Sequence, residues 1–260
     1  MKTRRRKLIS LFVLFLLACD ATFSVGYPTA TSAPPTGTAT VTPPSLKLTL
    51  TSIPYNENNQ SPPSTITALI PQLTGSDDPR VTSFNEAVNL LLAAEIESFK
   101  AGLVGLPDPP AIAVSSFDAK YTVIHQGGDL WSLQFDIAAY ADGAAHEGYL
   151  IRTLNYDFAQ SRIINLHELF LADSNYLEFI SEFCSKELAA RAIGFDETTV
   201  GAGPTLENYR NWNVTPEGLV VTFERGQVAA YAAPAQIVTI PYDELKTIVN
   251  PQGPLSVFLR

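Results

Sequence analysis

Beyond residue 45, apolar and polar residues follow one another in the two periods that distinguish strands from helices. Leucines alternate with polar residues over 46–51, which is typical of a half-buried strand, and a second strand is predicted over 65–73. The polar, proline-containing segment 56–63 between them predicts a loop. The folded part is therefore predicted to begin with two strands joined by a polar connection.

A long helix is predicted next. Asp78 supplies an N-cap, Pro79 fits the first helical position, and apolar residues recur mostly at helical spacing over 81–99. We expect the helix to end at Gly102 or Gly105, because the proline-rich segment that follows cannot continue a helix.

The period of two returns over 117–158. Gly127-Gly128 predicts a hairpin turn between two antiparallel strands, and the loop 142–148 leads to a third strand. This part of the chain is predicted to form a meander.

The last third contains a second helix from 174 or 175, strands over 218–223 and 236–240, and a short helix over 242–249. Strand and helix runs are segregated rather than alternating one to one. We therefore predict the α+β class, with antiparallel, meander-type sheets and three main helices packed on them.

The first residues have the three-part pattern of a secretory signal. A basic head over 4–7 precedes the apolar run 8–18, and Cys19 stands where a bacterial lipobox would place it. We predict a signal peptide over 1–18, lipidation of Cys19, and a Pro- and Thr-rich tether within 19–44. Two alternatives remain: a membrane-spanning helix, which needs roughly 20 apolar residues, and an ordinary signal cut elsewhere. The location predicted is the outer face of the cytoplasmic membrane, by the lipid on Cys19, or secretion.

Charge narrows the range of partners. The formal net charge is −9, and loss of the five basic residues of the signal peptide leaves −14. A protein with this negative charge repels phosphate backbones, so we expect no nucleic-acid binding. It attracts cationic partners instead. Acidity that serves solubility alone is the alternative explanation.

Two cysteines limit disulfide chemistry. If Cys19 carries lipid, Cys184 has no partner for an internal disulfide. Cys184 lies on the apolar stripe of the second helix, which predicts a small buried side chain rather than a reactive thiol.

The sequence predicts no catalytic residue, no metal site and no cofactor. His125, His146 and His167 are 21 residues apart each time, without the spacing of metal ligands. The nucleophile elbow of serine hydrolases and the glycine-rich phosphate loop are also absent from the sequence.

Carboxylate pairs could act as acid and base on a glycan if they faced each other about 5 to 9 Å apart. The sequence offers three pairs, all in or beside predicted helices: Glu95/Glu97, Asp77/Asp78 and Asp243/Glu244. Acids at helix starts complement the helix dipole, which favours structural roles.

Four residues are candidates for ligand binding. Tyr209, Trp212 and Tyr231 lie in stretches with weak periodicity, where exposed aromatic rings could anchor a protein or stack on sugars, although each could equally belong to the core. His146 could line a ligand groove, or it could fix a turn through a backbone hydrogen bond.

Residues 64–255 resemble the RsiV-like and PdaC-like extracytoplasmic domain family, which comprises the lysozyme-binding part of an anti-sigma factor and the accessory region of peptidoglycan deacetylases. The resemblance rests on the order of six short motifs: 70–75, 143–146, 153–157, 166–170, 229–234 and 240–245. It implies a PdaC-accessory-like α+β subdomain over 45–110 and an RsiV-like α+β domain over 111–260.

The resemblance implies a lipid-anchored, non-catalytic binding module that holds a cationic protein such as lysozyme, or peptidoglycan. Two alternatives remain open. One is an enzyme on cell-wall glycan, or an accessory subunit of one, and the other is a structural envelope lipoprotein. The sequence favours a protein that is not an enzyme.

Overall fold

A computed structural model describes residues 48–195 and 200–259. The predicted signal peptide, Cys19 and the predicted tether lie outside these residues. The described residues form three α-helices: α1 (Pro79–Gly102), α2 (Tyr176–Ala189) and α3 (Tyr242–Leu245). The strands are β1 (Thr49–Gln60), β2 (Pro63–Thr74), β3 (Ser115–Gly127), β4 (Leu130–Tyr140), β5 (Gly148–Asp157), β6 (Arg162–Ile163), β7 (Trp212–Val214), β8 (Gly218–Phe223) and β9 (Gln236–Pro241). The predicted α+β class is confirmed.

The first six strands form one sheet in chain order, and β7–β8–β9 form a second, antiparallel sheet. The first sheet is mixed, which corrects the expectation of antiparallel sheets alone, because β2 and β3 pair in parallel from Ser64↔Ser115 to Ala68↔Ala119. Parallel neighbours need a long crossover, and the segment that contains α1 supplies it. The remaining pairs of the first sheet are antiparallel.

The prediction of a loop over 56–63 is wrong for most of that segment, because residues 56–60 continue strand β1. β1 and β2 pair continuously as far as Gln60↔Pro63. Backbone pairing does not require apolar side chains, and the polar side chains bond locally, since Asn59 Nδ2 donates to Ser64 Oγ at 3.2 Å and to Glu57 at 2.9 Å. Lys100 on α1 also forms an ion pair with Glu57 at 2.9 Å.

Helix α1 covers one face of the first sheet. As predicted, Asp78 caps it, accepting a hydrogen bond from Arg80 N at 2.9 Å, and the helix ends at Gly102. Its buried side chains enter a core in which Phe84 meets Trp131 and Tyr156 edge to face, with ring centroids 5.5 and 5.3 Å apart. Because α1 covers this face, the second sheet packs on the opposite face of the first sheet.

A second core lies between α2, the second sheet and the C-terminal segment. The buried stripe of α2 is Ile180, Cys184 and Leu188, so the predicted inward position of Cys184 is confirmed. Helix α3 is shorter than predicted because Val249 forms a β-bridge with Phe170 instead of continuing the helix.

Buried polar side chains join the two sheets. Ser132 Oγ donates to Asn155 Oδ1 at 2.6 Å, and Asn155 Nδ2 donates to Trp212 O at 2.7 Å. Asn213 Nδ2 donates to Ser132 Oγ at 2.8 Å. Because buried amides are costly unless they are bonded, this network fixes how β7 sits on β4 and β5.

Strands from both sides of residue 110 contribute to the first sheet. The division into 45–110 and 111–260 stays a prediction. Within residues 48–195 and 200–259, no helix is long and apolar enough to cross a membrane.

Candidate functional site

Two of the four candidate binding residues are in the core. Tyr209 is fully buried and donates a hydrogen bond from its hydroxyl to Ala202 O at 2.6 Å. Trp212 is 5% exposed and begins β7. Neither ring presents a surface to a ligand, which corrects their proposed role. The weak periodicity around them arises because the chain there has little regular structure, although these two rings point inward.

The other two candidates meet in space. The His146 and Tyr231 rings lie 4.8 Å apart, with an interplanar angle of 31°. Both bind the same carbonyl: His146 Nδ1 is 2.9 Å from Glu147 O, and the Tyr231 hydroxyl donates to that oxygen at 3.1 Å. The two loop motifs of the sequence, 143–146 and 229–234, thus form one surface.

The loop that carries His146 is held by Asp142. The Asp142 carboxylate accepts hydrogen bonds from the backbone N–H groups of Ala111, Ile112 and Ala113 at 2.6, 2.9 and 3.0 Å. These donors stabilise the ionised form and lower the pKa of Asp142. The loop is therefore tied to the segment that leads into β3.

The loop that carries Tyr231 turns at Gly226, where φ is +79°. A Cβ at this position would lie 3.2 Å from Tyr231 Cδ2, so glycine serves both the turn and the close approach of the ring. Gln227 stabilises the same turn, because its Oε1 accepts a hydrogen bond from Glu224 N at 3.0 Å.

Two further residues complete the surface, and sequence reasoning missed both. Tyr149, which is 38% exposed, donates from its hydroxyl to Glu147 Oε2 at 2.8 Å, and this bond raises the pKa of the phenol. Arg225 lies over the Tyr149 ring, with Cζ 4.0 Å from the ring centroid. We call His146, Glu147, Tyr149, Arg225 and Tyr231 the aromatic cluster. The sequence does carry a signal for Tyr149. This residue precedes Leu150 on a period-two strand, and since Leu150 faces the core, Tyr149 must face the other side of the sheet.

Two members of the aromatic cluster, Tyr149 and Arg225, line a cleft of about 420 Å³ on the face of the first sheet opposite α1. Register places Ala138 beside Tyr149 and Asp118 beside Ala138, so the three side chains share that face. The second sheet forms the other wall through Thr222 and Ile237. We call this space the sheet-face cleft, and its charged lining residues are Asp118, Lys120, Asp136 and Arg225.

One carboxylate of the cleft, Asp118, is unsuited to act as a general acid. Burial raises the pKa of Asp118, but hydrogen bonds from Lys120 and Thr67 outweigh it and leave the pKa below its usual value. Thr67 Oγ1 donates to Asp118 Oδ2 at 2.7 Å. Because a glycosidase acid needs a raised pKa, Asp118 does not fit that role.

The three carboxylate pairs singled out in the sequence hold structural positions. Glu95 accepts a hydrogen bond from Arg152 Nε at 2.6 Å, and Asp78 caps α1. Asp243 lies in the first turn of α3, where it forms an ion pair with Lys246 at 2.5 Å. Each pair thus has a member already engaged in stabilising the fold.

A larger cavity of about 690 Å³ lies at another place, lined by residues that include His167 and Arg162. Its Glu168 carboxylate accepts two hydrogen bonds from Arg162, at 2.6 and 2.9 Å, and one from Asn165 N at 2.7 Å. The motif 166–170 therefore folds as a capped turn. Across 48–195 and 200–259, no group of three or more His, Cys, Asp or Glu side chains could hold a metal ion.

The chain is similar to known proteins, most specifically in its C-terminal part. Residues 167–243 match the DUF3298 family, a protein family of unknown function. The chain is also similar to the peptidoglycan-N-acetylmuramic acid deacetylase PdaC of Bacillus subtilis, with 23% identity over 171 residues. That match covers 65% of this chain and 36% of the deacetylase, so the chain spans about a third of its relative.

Two crystal structures of DUF3298 proteins share the fold. The protein from Bacteroides fragilis has a TM-score of 0.58 and 17% identity, covering 80% of this chain and 96% of its own. The protein from Pseudomonas aeruginosa has a TM-score of 0.50 and 15% identity, covering 80% and 95%. Together these similarities confirm the predicted resemblance to a PdaC-like domain family.

Proposed function

We propose that this chain is a non-catalytic accessory domain of the cell envelope that binds cell-wall glycan in the sheet-face cleft. The observation that carries the proposal is an exposed aromatic surface that begins in the cleft. Tyr149, which is 38% exposed, lines the cleft, and Tyr231, which is 39% exposed, hydrogen-bonds to the same residue as Tyr149, Glu147. Exposed tyrosines offer an apolar ring for a sugar face and a polar edge for its hydroxyl groups. A lipid on Cys19 would keep the domain at the outer face of the cytoplasmic membrane.

The size and lining of the cleft support this ligand class. Its volume lies in the range of small-ligand sites, about 300 to 1,000 Å³. Hydrogen-bonding side chains such as Gln134 and Thr222 line it beside the apolar Ile237. The similar protein from Bacillus subtilis is a peptidoglycan deacetylase, which favours a cell-wall saccharide over other glycans.

The test measures binding of purified peptidoglycan fragments to the full-length protein by titration calorimetry. Tyr149→Ala and Tyr231→Ala should each weaken binding about three- to tenfold, the effect of one aromatic contact. Leu90→Ala is the matched control, because Leu90 is 72% exposed on α1, away from the cleft. Equal binding by the wild type and both tyrosine variants would exclude the aromatic cluster as the glycan site.

A second candidate is binding of a cationic protein such as lysozyme, favoured by the net charge of −14 beyond the signal peptide. Pull-down with lysozyme at low and high salt separates it from glycan binding. Attraction by charge should weaken strongly with salt and persist in Tyr149→Ala. Absence of lysozyme binding at low salt would exclude this partner.

The remaining alternatives have less support. The lowered pKa of Asp118 argues against this residue as the general acid of an enzyme acting on glycan. A concave cleft lined by apolar and hydrogen-bonding side chains favours ligand binding over a purely structural envelope lipoprotein.

A further inference from the structure

We infer that Arg225 recognises a carboxylate group of the cell-wall ligand, so that the sheet-face cleft selects an acidic ligand over a neutral glycan. This inference rests on the proposed glycan-binding function and adds the chemical class of the ligand to it. It is carried by the position, the contacts and the electrostatic surroundings of one guanidinium group.

The position of Arg225 exposes its hydrogen-bonding edge. Its guanidinium lies over the Tyr149 ring at 4.0 Å, and its side chain lines the cleft. A guanidinium carries its N–H donors in its own plane, so contact of its central carbon with a ring leaves donors available to a ligand. The tyrosine therefore holds the positive charge of Arg225 at the cleft before a ligand arrives.

Among the described residues, Arg225 takes part in none of the neighbouring ion pairs. Within residues 48–195 and 200–259, no carboxylate lies within 4.0 Å of its nitrogens, and its guanidinium donates no hydrogen bond to these residues. The adjacent Glu224 is engaged by Arg152 and by Arg210. In the same part of the chain, Arg80 and Arg162 each hold a carboxylate, so Arg225 differs from them in having its donors available.

The charge balance of the cleft allows an anion to enter. Although the whole chain carries −9, the charged residues of the cleft are two acids and two bases. Asp118 is already paired with Lys120 at 2.9 Å, which reduces its repulsion of an anion. A planar carboxylate then matches the guanidinium fork with two parallel hydrogen bonds.

In peptidoglycan a carboxylate can come from two sources: the lactyl group of N-acetylmuramic acid, or the peptide stem. The experiment therefore compares three probes by titration calorimetry with the full-length protein. They are a peptide-free tetrasaccharide of alternating N-acetylglucosamine and N-acetylmuramic acid, neutral chitotetraose, and a disaccharide–tetrapeptide whose lactyl group is amidated.

Arg225→Gln should weaken binding of a carboxylate-bearing probe about tenfold or more, the usual effect of a charged hydrogen bond. The affinities of the wild type and of Arg225→Gln for chitotetraose should agree within a factor of about two, because this probe has no carboxylate. Lys186→Gln is the matched control, since it removes the same charge from an exposed position on α2, outside the cleft. Arg225→Lys keeps the charge but loses the fork, and should show an intermediate loss with a native circular dichroism spectrum.

The probe that loses affinity identifies the source of the carboxylate. If Arg225→Gln binds all three probes like the wild type, the inference is overturned while glycan binding stands. If the wild type binds no probe, the proposed function itself fails, and the inference falls with it.

Discussion

The imidazole of His146 and the phenol ring of Tyr231 lie 4.8 Å apart, and both side chains hydrogen-bond to Glu147 O. This contact links the loop between β4 and β5 to the loop between β8 and β9. His146 also makes a backbone hydrogen bond within its loop, as one of its two predicted roles requires. Glu147 connects the contact to the sheet-face cleft, because its carboxylate accepts a hydrogen bond from Tyr149.

Loss of the Tyr231 ring should loosen the loop that carries His146. In Tyr231→Ala, amide hydrogen exchange over 142–148 should rise, because the ring contact and the bond to Glu147 O are both removed. Tyr231→Phe keeps the ring and should give an intermediate increase. Unchanged exchange in both variants, measured by mass spectrometry, would show that Asp142 alone holds the loop.

The ion pairs around Arg152 should contribute measurably to stability. Arg152 binds Glu95 at 2.6 Å and Glu224 at 3.3 Å, and the Glu224 side chain is 11% exposed. In Arg152→Met both carboxylates lose this partner, and we expect the free energy of unfolding to fall by about 1–3 kcal/mol, as partial solvent screening and the Arg210 contact to Glu224 limit the cost. Denaturant unfolding measures the change.

Lys246→Met provides the comparison, because it breaks an exposed ion pair with Asp243, 65% and 83% exposed. A cost of no more than about 0.5 kcal/mol is expected there. Equal losses in the two variants would mean that burial adds nothing to the Arg152 pairs.

The Cys184 thiol should be inert in the folded protein. Burial raises the pKa of Cys184 to about 12, so almost no thiolate forms near neutral pH. Alkylation by iodoacetamide, mapped to the peptide that contains Cys184, should be slow in buffer and fast in concentrated urea. Rapid labelling without denaturant would contradict the buried position.

Acid should remove the contribution of the Asp78 cap to stability. The hydrogen bonds from Arg80 lower the pKa of Asp78 to about 2. A carboxyl with a lowered folded-state pKa stabilises the protein above its unfolded pKa, about 3.9, and loses that contribution as the pH falls through 2. Urea midpoints between pH 4 and pH 2 should therefore fall with pH.

Asp78→Asn should make that fall shallower, because asparagine still caps the helix but does not titrate. The fall should not vanish, since a hydrogen bond from Tyr55 and others from Lys100 and Asn59 lower the pKa of Glu57 to about 2 as well. A pH dependence identical to that of the wild type would exclude Asp78 as a contributor.

Local patterns determined most of the elements. The cap at Asp78, the period of three to four along α1 and α2, and the period of two over 117–158 each depend on neighbours in sequence, and all were predicted. The hairpin of β1 and β2 was underestimated, because backbone pairing continued through polar side chains that have low strand propensity.

The sequence by itself determined the α+β class, the main helices and the acidity of the chain, because these follow from composition and from contacts within a few residues. The tertiary structure decided the parallel pairing of β2 with β3, the burial of Tyr209 and Trp212, and the meeting of His146 with Tyr231. It also decided that Arg225 lies over Tyr149 without a carboxylate partner in the described chain. Such relations join residues far apart in sequence, and they are fixed by how the two cores pack rather than by any local period.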